Sequence, residues 1–352
     1  METKPVEIDG SYKEGGGQIL RTASAMAAIR GVPVHIYNIR NNRAGGSGLK
    51  TQHLRGLEAV SGFCSGRLEG AVLGSKEVTF RPGSGFRTGL NVNVETAGST
   101  ALILQSLMTA ALAAGKNARI DIDGGATFGK FAPPLNYTRS VLLPLLKKMG
   151  FHSEILINRH GFYPSGGAKV VAIINACTKL RPLKLESQGC VRNIEGVSVA
   201  SKNLKPSKVA ERQTRILEEV LAKHGHDCRI RTEYVDSACT GSGVVVWAKT
   251  TRGGILGANQ LMEYDGHTGE AISWECIRRL NAEIESEAAV DSWMADQILP
   301  YMALAHGRSV VSVPALTGHA ETNIWAIKQF LPGIEFKVAK GDRNVTIECS
   351  GS

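Results

Sequence analysis

One order of elements recurs along this chain and constrains its fold more than any other feature. Strand, helix, strand, helix and two closing strands follow one another in residues 6–81 and again in residues 90–174. Most of the same order returns in residues 292–349. Alternating apolar residues mark the strands, and a glycine such as Gly31 or Gly307 ends the first helix of a copy. Three copies of one order predict three repeated α/β units that pack together.

A glutamine lies in the first helix of every copy, and the spacing of the three glutamines indicates an insertion. Gln18 and Gln105 are 87 positions apart, whereas Gln105 and Gln297 are 192 positions apart. Because the second interval is longer by roughly 100 residues, an extra domain must interrupt the series. We predict a large domain formed by residues 1–180 and 283–352, and a small inserted domain formed by residues 181–282.

The predicted insert has the pattern of a small α/β unit of its own. Its strands are predicted at 194–200, 228–235, 243–250 and 254–259, and its helices at 207–224 and 269–287. The first helix is rich in charged residues, which is more typical of a solvated face than of a site. The predicted fold class is therefore α/β, with three repeated βαβαββ-type units and a small inserted α/β domain.

The charge of the chain favours a polyanionic partner. The formal net charge is +9 at neutral pH. From Arg40 to Arg55 there are four basic residues and no acidic one, within a glycine-rich loop that leads into a helix near Thr51. Such a loop is suited to contacts with phosphate groups, although a solvated loop explains the same pattern.

The composition argues against several classes of protein. Hydrophobic and charged contents of 43% and 21% are typical of a soluble globular chain, and no apolar run approaches 18 residues. The seven cysteines are scattered and form no C-x-x-C pair. We therefore predict no membrane helix, no disulfide framework and no zinc site, and we expect a cytoplasmic location.

The segment Thr317–Asn323 places a histidine at a predicted junction between a strand and a helix. Residues 309–313 form the strand, and the helix continues to about Leu331. Free N–H groups and the positive end of the helix dipole suit a phosphate at such a junction. His319 is therefore a candidate nucleophile or acid–base group, with a polar helix cap as the alternative.

A second junction, from Glu14 to Arg21, has a similar character. Its three consecutive glycines allow the backbone to approach a ligand closely. Glu14 is suited to hold a divalent cation, and Arg21 is suited to face a phosphate. A tight turn with a solvated glutamate is the alternative.

An aromatic ring and a carboxylate share one face of the helix that begins the third copy. Trp293 precedes Asp296 by three residues, a spacing that suits a purine base, although core packing is the commoner explanation for such a tryptophan. The chain has no G-x-x-x-x-G-K-[ST] loop and no G-x-G-x-x-G fingerprint after a strand, so a nucleotide would have to bind in another way.

Together these segments resemble the RNA 3′-terminal phosphate cyclase family. The resemblance covers nearly the whole chain, is weakest in the insert, and rests on motifs that occur in the same order. They are Asp9-Gly10-Ser11 with Glu14 to Arg21, Ile39-Arg40-x-x-Arg43, Gln52-His53-Leu54, Gly161-Phe162-Tyr163-Pro164-x-Gly166-Gly167, Ala295-Asp296-Gln297 and Thr317-x-His319-x-x-Thr322-Asn323.

The resemblance implies a fold and an activity. Members of the family have three repeated α/β units, related to those of enolpyruvate transferases, and a smaller inserted domain. They use ATP and a divalent metal (Mg²⁺ or Mn²⁺) to convert an RNA 3′-phosphate into a 2′,3′-cyclic phosphate. A histidine–AMP intermediate and an RNA adenylylated on its 3′-phosphate precede the product. The expected partners here are thus ATP and RNA with a 3′-terminal phosphate, in a ligase-type reaction of RNA processing.

The same resemblance implies a role for each site residue. His319 would be the nucleophile that becomes adenylylated, and Glu14 would hold the metal. The phosphates of ATP or RNA would be contacted by Arg21, Arg40, Arg43 and Gln52. The adenylate pocket would be lined by Gln105, Pro133, Trp293, Asp296 and Gln297. The family usually has Tyr or His where this chain has Trp293, so we expect stacking to persist without the same hydrogen bond.

Two other hypotheses stay open at this point. A non-catalytic relative that serves ribosomal RNA processing would share the fold, but that branch lacks the histidine. An enolpyruvate-type transferase acting on a small phosphorylated metabolite is also compatible, because a fold does not fix a function.

Overall fold

The computed structural model describes residues 3–43, 45–262 and 269–351. The first repeat has the predicted order, with β1 (Val6–Asp9), α1 (Gly17–Arg30), β2 (Val34–Tyr37), α2 (Thr51–Phe63), β3 (Arg67–Glu69) and β4 (Val78–Arg81). Its sheet has the strand order β1-β2-β4-β3, and only β1 and β2 run parallel. Gly31 ends α1 as predicted, because its φ of 63° lies in the left-handed region that glycine tolerates.

The second repeat has the same topology with one irregular helix. Its elements are β5 (Gly89–Ser99), α3 (Thr100–Ala110), β6 (Ala118–Ala126), α4 (Leu135–Tyr137), α5 (Leu143–Lys148), β7 (Ser153–Arg159) and β8 (Lys169–Ile174). The strand order is β5-β6-β8-β7, again with a parallel first pair. A π-helical turn (Thr138–Leu142) joins α4 to α5, where one regular helix was predicted. Pro144 has no N–H to donate, so the regular helical ladder is interrupted here.

The third repeat is divided by the insert. Its first strand is β9 (Lys184–Leu185); the insert then contributes β10 (Val191–Ser201), α6 (Val209–Lys223), β11 (Cys228–Val235), β12 (Ser242–Thr250), β13 (Ile255–Leu261) and α7 (Gly269–Glu285). The repeat resumes with α8 (Ser292–Leu304), β14 (Ser309–Val313), α9 (Gly318–Phe330), β15 (Phe336–Lys340) and β16 (Val345–Cys349). The strand order β9-β14-β16-β15, with β9 parallel to β14, matches the other two repeats.

The strand β9 was not predicted, because two residues are too short to show an alternating pattern. It lies in the range assigned to the insert, yet it pairs with β14 of the third sheet. At the other end, α7 continues beyond that range to Glu285 and packs on α6, β12 and β13. The division into domains remains a prediction, and we propose to move the limits of the insert to about residues 186–291.

The sheet of the segment predicted as the insert packs on the three repeats through one of its faces. This sheet has the order β11-β10-β12-β13, and successive side chains of a strand point to opposite faces. Val244 and Val246 lie in a cluster with Leu217 of α6, whereas Val197 and Val245 belong to the core of the large domain. One face of the sheet is thus covered by helices, and the other is buried against the repeats.

The helices of the three repeats pack on one another and position the site. α1 contacts α2, α3 and α9, and α8 contacts α3 and α9. All seven cysteines are free thiols. Among the helices of the described ranges, none combines the length and the apolar character needed to cross a membrane.

Candidate active site

A cavity of about 300 Å³ lies where five helices, α1, α2, α3, α8 and α9, meet. Three of them bring their first or second residue to it, namely Gly17, Gln52 and His319. The first-turn N–H groups of a helix lack helical partners and carry the positive end of its dipole, so this arrangement favours an anion.

The cavity brings together almost all residues that the sequence singled out. Its lining includes His319, Arg21, Arg40, Arg43, Gln52, Gln105, Pro133, Trp293, Asp296 and Gln297. The remaining candidate, Glu14, contacts His319 at the edge of the cavity. The structure thus places these side chains side by side, although they come from distant parts of the chain.

His319 is the second residue of α9, at the predicted junction with a strand. Thr317 caps this helix, because its hydroxyl oxygen accepts the N–H of Ala320 at 3.0 Å. His319 is therefore free of the capping role that was its alternative explanation. Its Nδ1 lies 2.5 Å from Oε2 of Glu14, a contact that the sequence did not predict.

The environment of His319 favours the neutral imidazole. Burial lowers the pKa of His319 below its usual value; the charge of Glu14 opposes this effect, and Arg21 and Arg43 lower the pKa further. With Nδ1–H donating to Glu14, the lone pair remains on Nε2. A neutral, oriented imidazole is the form that a nucleophile requires.

Two glycines allow the close packing around this pair. A Cβ on Gly318 would lie 2.3 Å from Oε1 of Glu14, and a Cβ on Gly17 would lie 2.3 Å from Nε2 of His53. Any other residue at either position would push a site residue aside. Gly17, the last residue of the glycine run, therefore allows close contact between residues of the cavity, while the predicted close approach of this backbone to a ligand stays a prediction.

Arginines form the basic wall of the cavity. Arg21 is partly buried; burial lowers its pKa to about 10, with Asp296 opposing the change, so it stays protonated at neutral pH. Its Nε donates to Oε1 of Gln105 at 3.2 Å. Nη2 of Arg43 lies 3.9 Å from Glu14, while the buried Nε of Arg43 has no hydrogen-bond partner in the described part of the chain. A buried donor without a partner costs about 1–3 kcal/mol, so an anionic ligand here would relieve it.

Gln18 links α1 to the candidate nucleophile. Its side-chain amide donates to the backbone oxygen of His319 at 2.8 Å. Its Oε1 is buried and, within the ranges described, lacks a partner. Gln18 is the second residue of its helix, whereas Gln105 and Gln297 are each the sixth of theirs. The three glutamines that indicated the repeat thus share the cavity but differ by about one helical turn.

A buried chain of hydrogen bonds holds three of these helices in register. The hydroxyl of Thr22 donates to Oδ1 of Asn323 at 2.5 Å, and Nδ2 of Asn323 donates to the backbone oxygen of Asp296 at 2.7 Å. The three residues belong to α1, α9 and α8. Asn323, the last residue of the histidine motif, therefore fixes α9 relative to the other walls of the cavity.

The wall formed by α8 combines an aromatic ring with buried polar groups. Trp293 and Pro133 both line the cavity, and Nε2 of Gln297 donates to the backbone oxygen of Trp293 at 2.9 Å. Burial raises the pKa of Asp296 to about 7, while Arg21 opposes the rise. The carboxyl group can thus act as donor or acceptor near neutral pH.

Several lining residues were not predicted as site residues. His53 is one; burial, together with Arg21, Arg40 and other cations, lowers its pKa to about 3, and its Nδ1 accepts the N–H of Lys50 at 3.2 Å. His53 and Gln18 stand in the quoted motifs and Lys50 in the basic loop, so signals for them existed. Lys130 and Phe131 carried no such signal, because only the packing of their loop brings them to the cavity.

The described residues fit a metal only in part. They contain no cluster of three His, Cys, Asp or Glu side chains placed to hold an ion. Mg²⁺ is usually bound by one or two carboxylates together with phosphate oxygens and water. Glu14 is thus compatible with a site of which a bound nucleotide would supply most ligands.

Comparison with known proteins identifies the family. The family described as RNA 3′-terminal phosphate cyclase matches residues 12–338. A protein of that name from Methanopyrus kandleri is 38% identical over 344 residues, 96% of each chain. The protein from Pyrobaculum neutrophilum is 40% identical over 98% of each chain. The protein from Nitrosospira multiformis is also 40% identical, over 95% of this chain and 93% of its own. The matches confirm the resemblance inferred from the motifs, and the chain belongs to the RNA 3′-terminal phosphate cyclase family.

Proposed function

We propose that this chain uses ATP to convert the 3′-terminal phosphate of an RNA into a 2′,3′-cyclic phosphate, with His319 as a covalent nucleophile. The observation that carries the proposal is the setting of His319. Its imidazole is held by Glu14 at a helix N-terminus, within a cavity lined by Arg21, Arg40 and Arg43.

The first step joins His319 to the nucleotide. The lone pair of Nε2 attacks the α-phosphorus of ATP; an N–P bond forms while the bond to the bridging oxygen breaks, and pyrophosphate leaves. The ring becomes positively charged, and Glu14 stabilises that charge through Nδ1–H. Arg21 and Arg43 are suited to neutralise charge that grows on the phosphate oxygens.

The following steps activate and close the RNA end. An oxygen of the RNA 3′-phosphate attacks the adenylyl phosphorus, and the N–P bond to His319 breaks. The neighbouring O2′ then attacks the 3′-phosphorus, loses its proton to solvent and displaces AMP. Without adenylylation the leaving group would be hydroxide, which is far poorer, so the covalent route replaces one difficult step with easier ones.

Other residues would bind and orient the nucleotide. Trp293 and Pro133 are placed to enclose a base, and Asp296 and Gln297 are placed to contact its polar edge. A divalent metal, if held by Glu14, would supply further neutralisation of phosphate charge. The same carboxylate contacts His319, so orientation of the nucleophile and metal binding would share one side chain.

A reaction with defined RNA ends tests the proposal. The 3′-phosphate of a 5′-labelled oligoribonucleotide should become resistant to removal by phosphatase only when ATP is present. The matched RNA with a 3′-hydroxyl should remain unchanged. RNA binding without any ATP-dependent product would instead support the non-catalytic hypothesis, and equal binding of the two RNAs would support the transferase hypothesis.

A further inference from the structure

Phe131 lies at the cavity and is almost completely exposed, at 87% of its surface. Burial of an aromatic ring is a large source of stability, and this ring contributes little of it. Its backbone has a φ of 58°, in the left-handed region where a bulky side chain is uncommon. Packing of the core therefore does not account for a phenylalanine at this position.

Buried residues on both sides of Phe131 anchor the loop that presents it. Phe128 is fully buried and stacks on Phe162 with ring centroids 5.4 Å apart, and the N–H of Tyr163 donates to the backbone oxygen of Phe128 at 3.4 Å. Beyond the loop, Pro133 is buried and lines the cavity. The ring is thus exposed on a loop that is anchored on both sides.

Phe131 belongs to a group of two rings and one cation. The ammonium of Lys130 lies 5.2 Å from the centroid of Phe131 and 5.8 Å from that of Tyr163, whose exposed fraction is 44%. Phe131, Lys130 and Tyr163, which we call the aromatic shelf, combine exposed ring surface with positive charge. Aromatic rings beside cations are how proteins bind unpaired bases, with the rings stacking on bases and the cations meeting phosphates.

We propose that the aromatic shelf binds the RNA, and that one of its two 3′-terminal bases stacks on Phe131. The inference rests on the proposed function, because it concerns the substrate of the same cavity. The shelf adjoins the basic lining of Arg40, Arg43 and Lys50, so a strand that leaves the cavity would follow positive charge. Stacking on a ring accepts any base, which suits an enzyme that acts on RNA ends.

Kinetics with the Phe131→Ala variant test the proposal. Loss of the stack should raise KM for a 3′-phosphorylated oligoribonucleotide about tenfold and leave kcat unchanged, as for a uniform binding contact. Phe131→Tyr retains a ring and should restore the wild-type KM. Trp274→Ala removes an exposed ring from α7 of the insert, remote from the shelf in sequence, and should change neither constant.

Substrates that lack one base separate stacking from a general loop defect. Oligoribonucleotides carry an abasic ribose at the terminal or the penultimate position, and both retain the reacting groups. With the substrate that lacks the stacked base, whether terminal or penultimate, wild type and Phe131→Ala should have the same KM, because there is no stack left to lose. A difference of about tenfold that persists with both would overturn the proposal, as would a KM for Phe131→Ala within twofold of wild type on intact RNA.

A second measurement distinguishes RNA binding from nucleotide binding. Labelling of the protein by ATP alone involves no RNA, so a loss of labelling in Phe131→Ala equal to its loss in RNA turnover would overturn the proposal. Wild-type protein that forms no cyclic product would refute the proposed function itself, whereas normal cyclisation with no effect of Phe131→Ala would refute only the role of the shelf.

Discussion

Replacing Glu14 by glutamine tests whether this carboxylate orients the nucleophile. In the structure its Oε2 lies 2.5 Å from Nδ1 of His319, and both side chains are about two-fifths exposed. Glutamine has nearly the same shape but carries no charge. The substitution should therefore slow formation of the adenylylated protein and, at the same time, change its dependence on pH.

The two effects can be estimated separately. A hydrogen bond to a charged group contributes about 1.5–3 kcal/mol, and partial exposure favours the lower limit, which corresponds to a roughly tenfold slower reaction at pH 8. The negative charge also raises the pKa of His319, so its removal lowers that pKa. A partly exposed pair of charges is worth about 0.2–1 kcal/mol, so the shift should be less than about one pH unit.

The assay is single-turnover labelling of the protein by ATP between pH 5 and pH 9. Because only the neutral imidazole attacks, the rate should fall on the acid side as His319 becomes protonated. In Glu14→Gln the labelling rate at high pH should be lower than in wild type. The fall of that rate on the acid side (the acid limb) should, however, occur at lower pH than in wild type. Glu321 lies in α9, as His319 does, and its carboxylate pairs with Lys13. Glu321→Gln is therefore the control, and it should leave the dependence of labelling on pH unchanged.

An acid limb that stays in place or moves to higher pH in Glu14→Gln would contradict an electrostatic contact between Glu14 and His319. A rate restored to the wild-type value by tenfold more metal, with no change of the limb, would mean that Glu14 serves metal binding only.

Three further substitutions test the arrangement around the site. Gly318→Ala should slow labelling about tenfold, because its Cβ would displace Glu14 from His319 while the backbone is unstrained. Glu283→Gln should flatten the dependence of stability on pH, since burial raises the pKa of Glu283 to about 7. The stabilisation linked to the raised pKa of Glu283 is complete below about pH 4.5 and is lost as the pH rises through 7. Glu283→Gln should therefore be more stable than wild type at pH 8, by on the order of 2 kcal/mol, and the difference should be smaller at pH 5. Thermal denaturation at the two pH values measures both differences. Thr22→Val should lower the free energy of unfolding by about 1–3 kcal/mol in urea, because it leaves a buried oxygen of Asn323 without its donor.

Matched substitutions control for the first two of these tests. Gly56→Ala adds a methyl group in α2 where no heavy atom lies within 4 Å, and it should not affect labelling. Glu285→Gln changes an exposed carboxylate on the same helix as Glu283, and its pH dependence should follow that of wild type. Rapid labelling in Gly318→Ala, or a stability gain in Glu283→Gln that is larger at pH 5, would contradict the geometry. Urea unfolding of Thr22→Val at the wild-type midpoint would contradict the role of the hydrogen bond between Thr22 and Asn323.

Much of the fold could be predicted because each repeat contains elements long enough to show a period. The strand at 309–313 and the strand at 228–235 have the predicted limits, and α2 begins at the predicted residue. The strand β9 was missed because its pairing depends on β14, which follows the whole insert. The irregular helix before Pro144 has a local cause instead, because a proline without an N–H interrupts the regular helical ladder.

The site could be predicted through motifs but not through contacts. The motifs indicated both His319 and Gln52 as site residues, and each is the second residue of its helix and lines the cavity. The bond between Glu14 and His319 joins distant parts of the chain, so only the folded structure reveals it. The exposure of Phe131 is likewise a property of its loop, because a phenylalanine in the sequence predicts burial.

The most direct test of the whole account is labelling with ATP that carries radioactive phosphorus in the α-position. Wild-type protein should acquire an acid-labile label on a single histidine, identified as His319 by peptide mapping, and RNA with a 3′-phosphate should discharge it. His319→Ala should acquire none, although its fold is intact by circular dichroism. Label that persists in His319→Ala, or that maps to another residue, would contradict the assignment of His319 as the nucleophile.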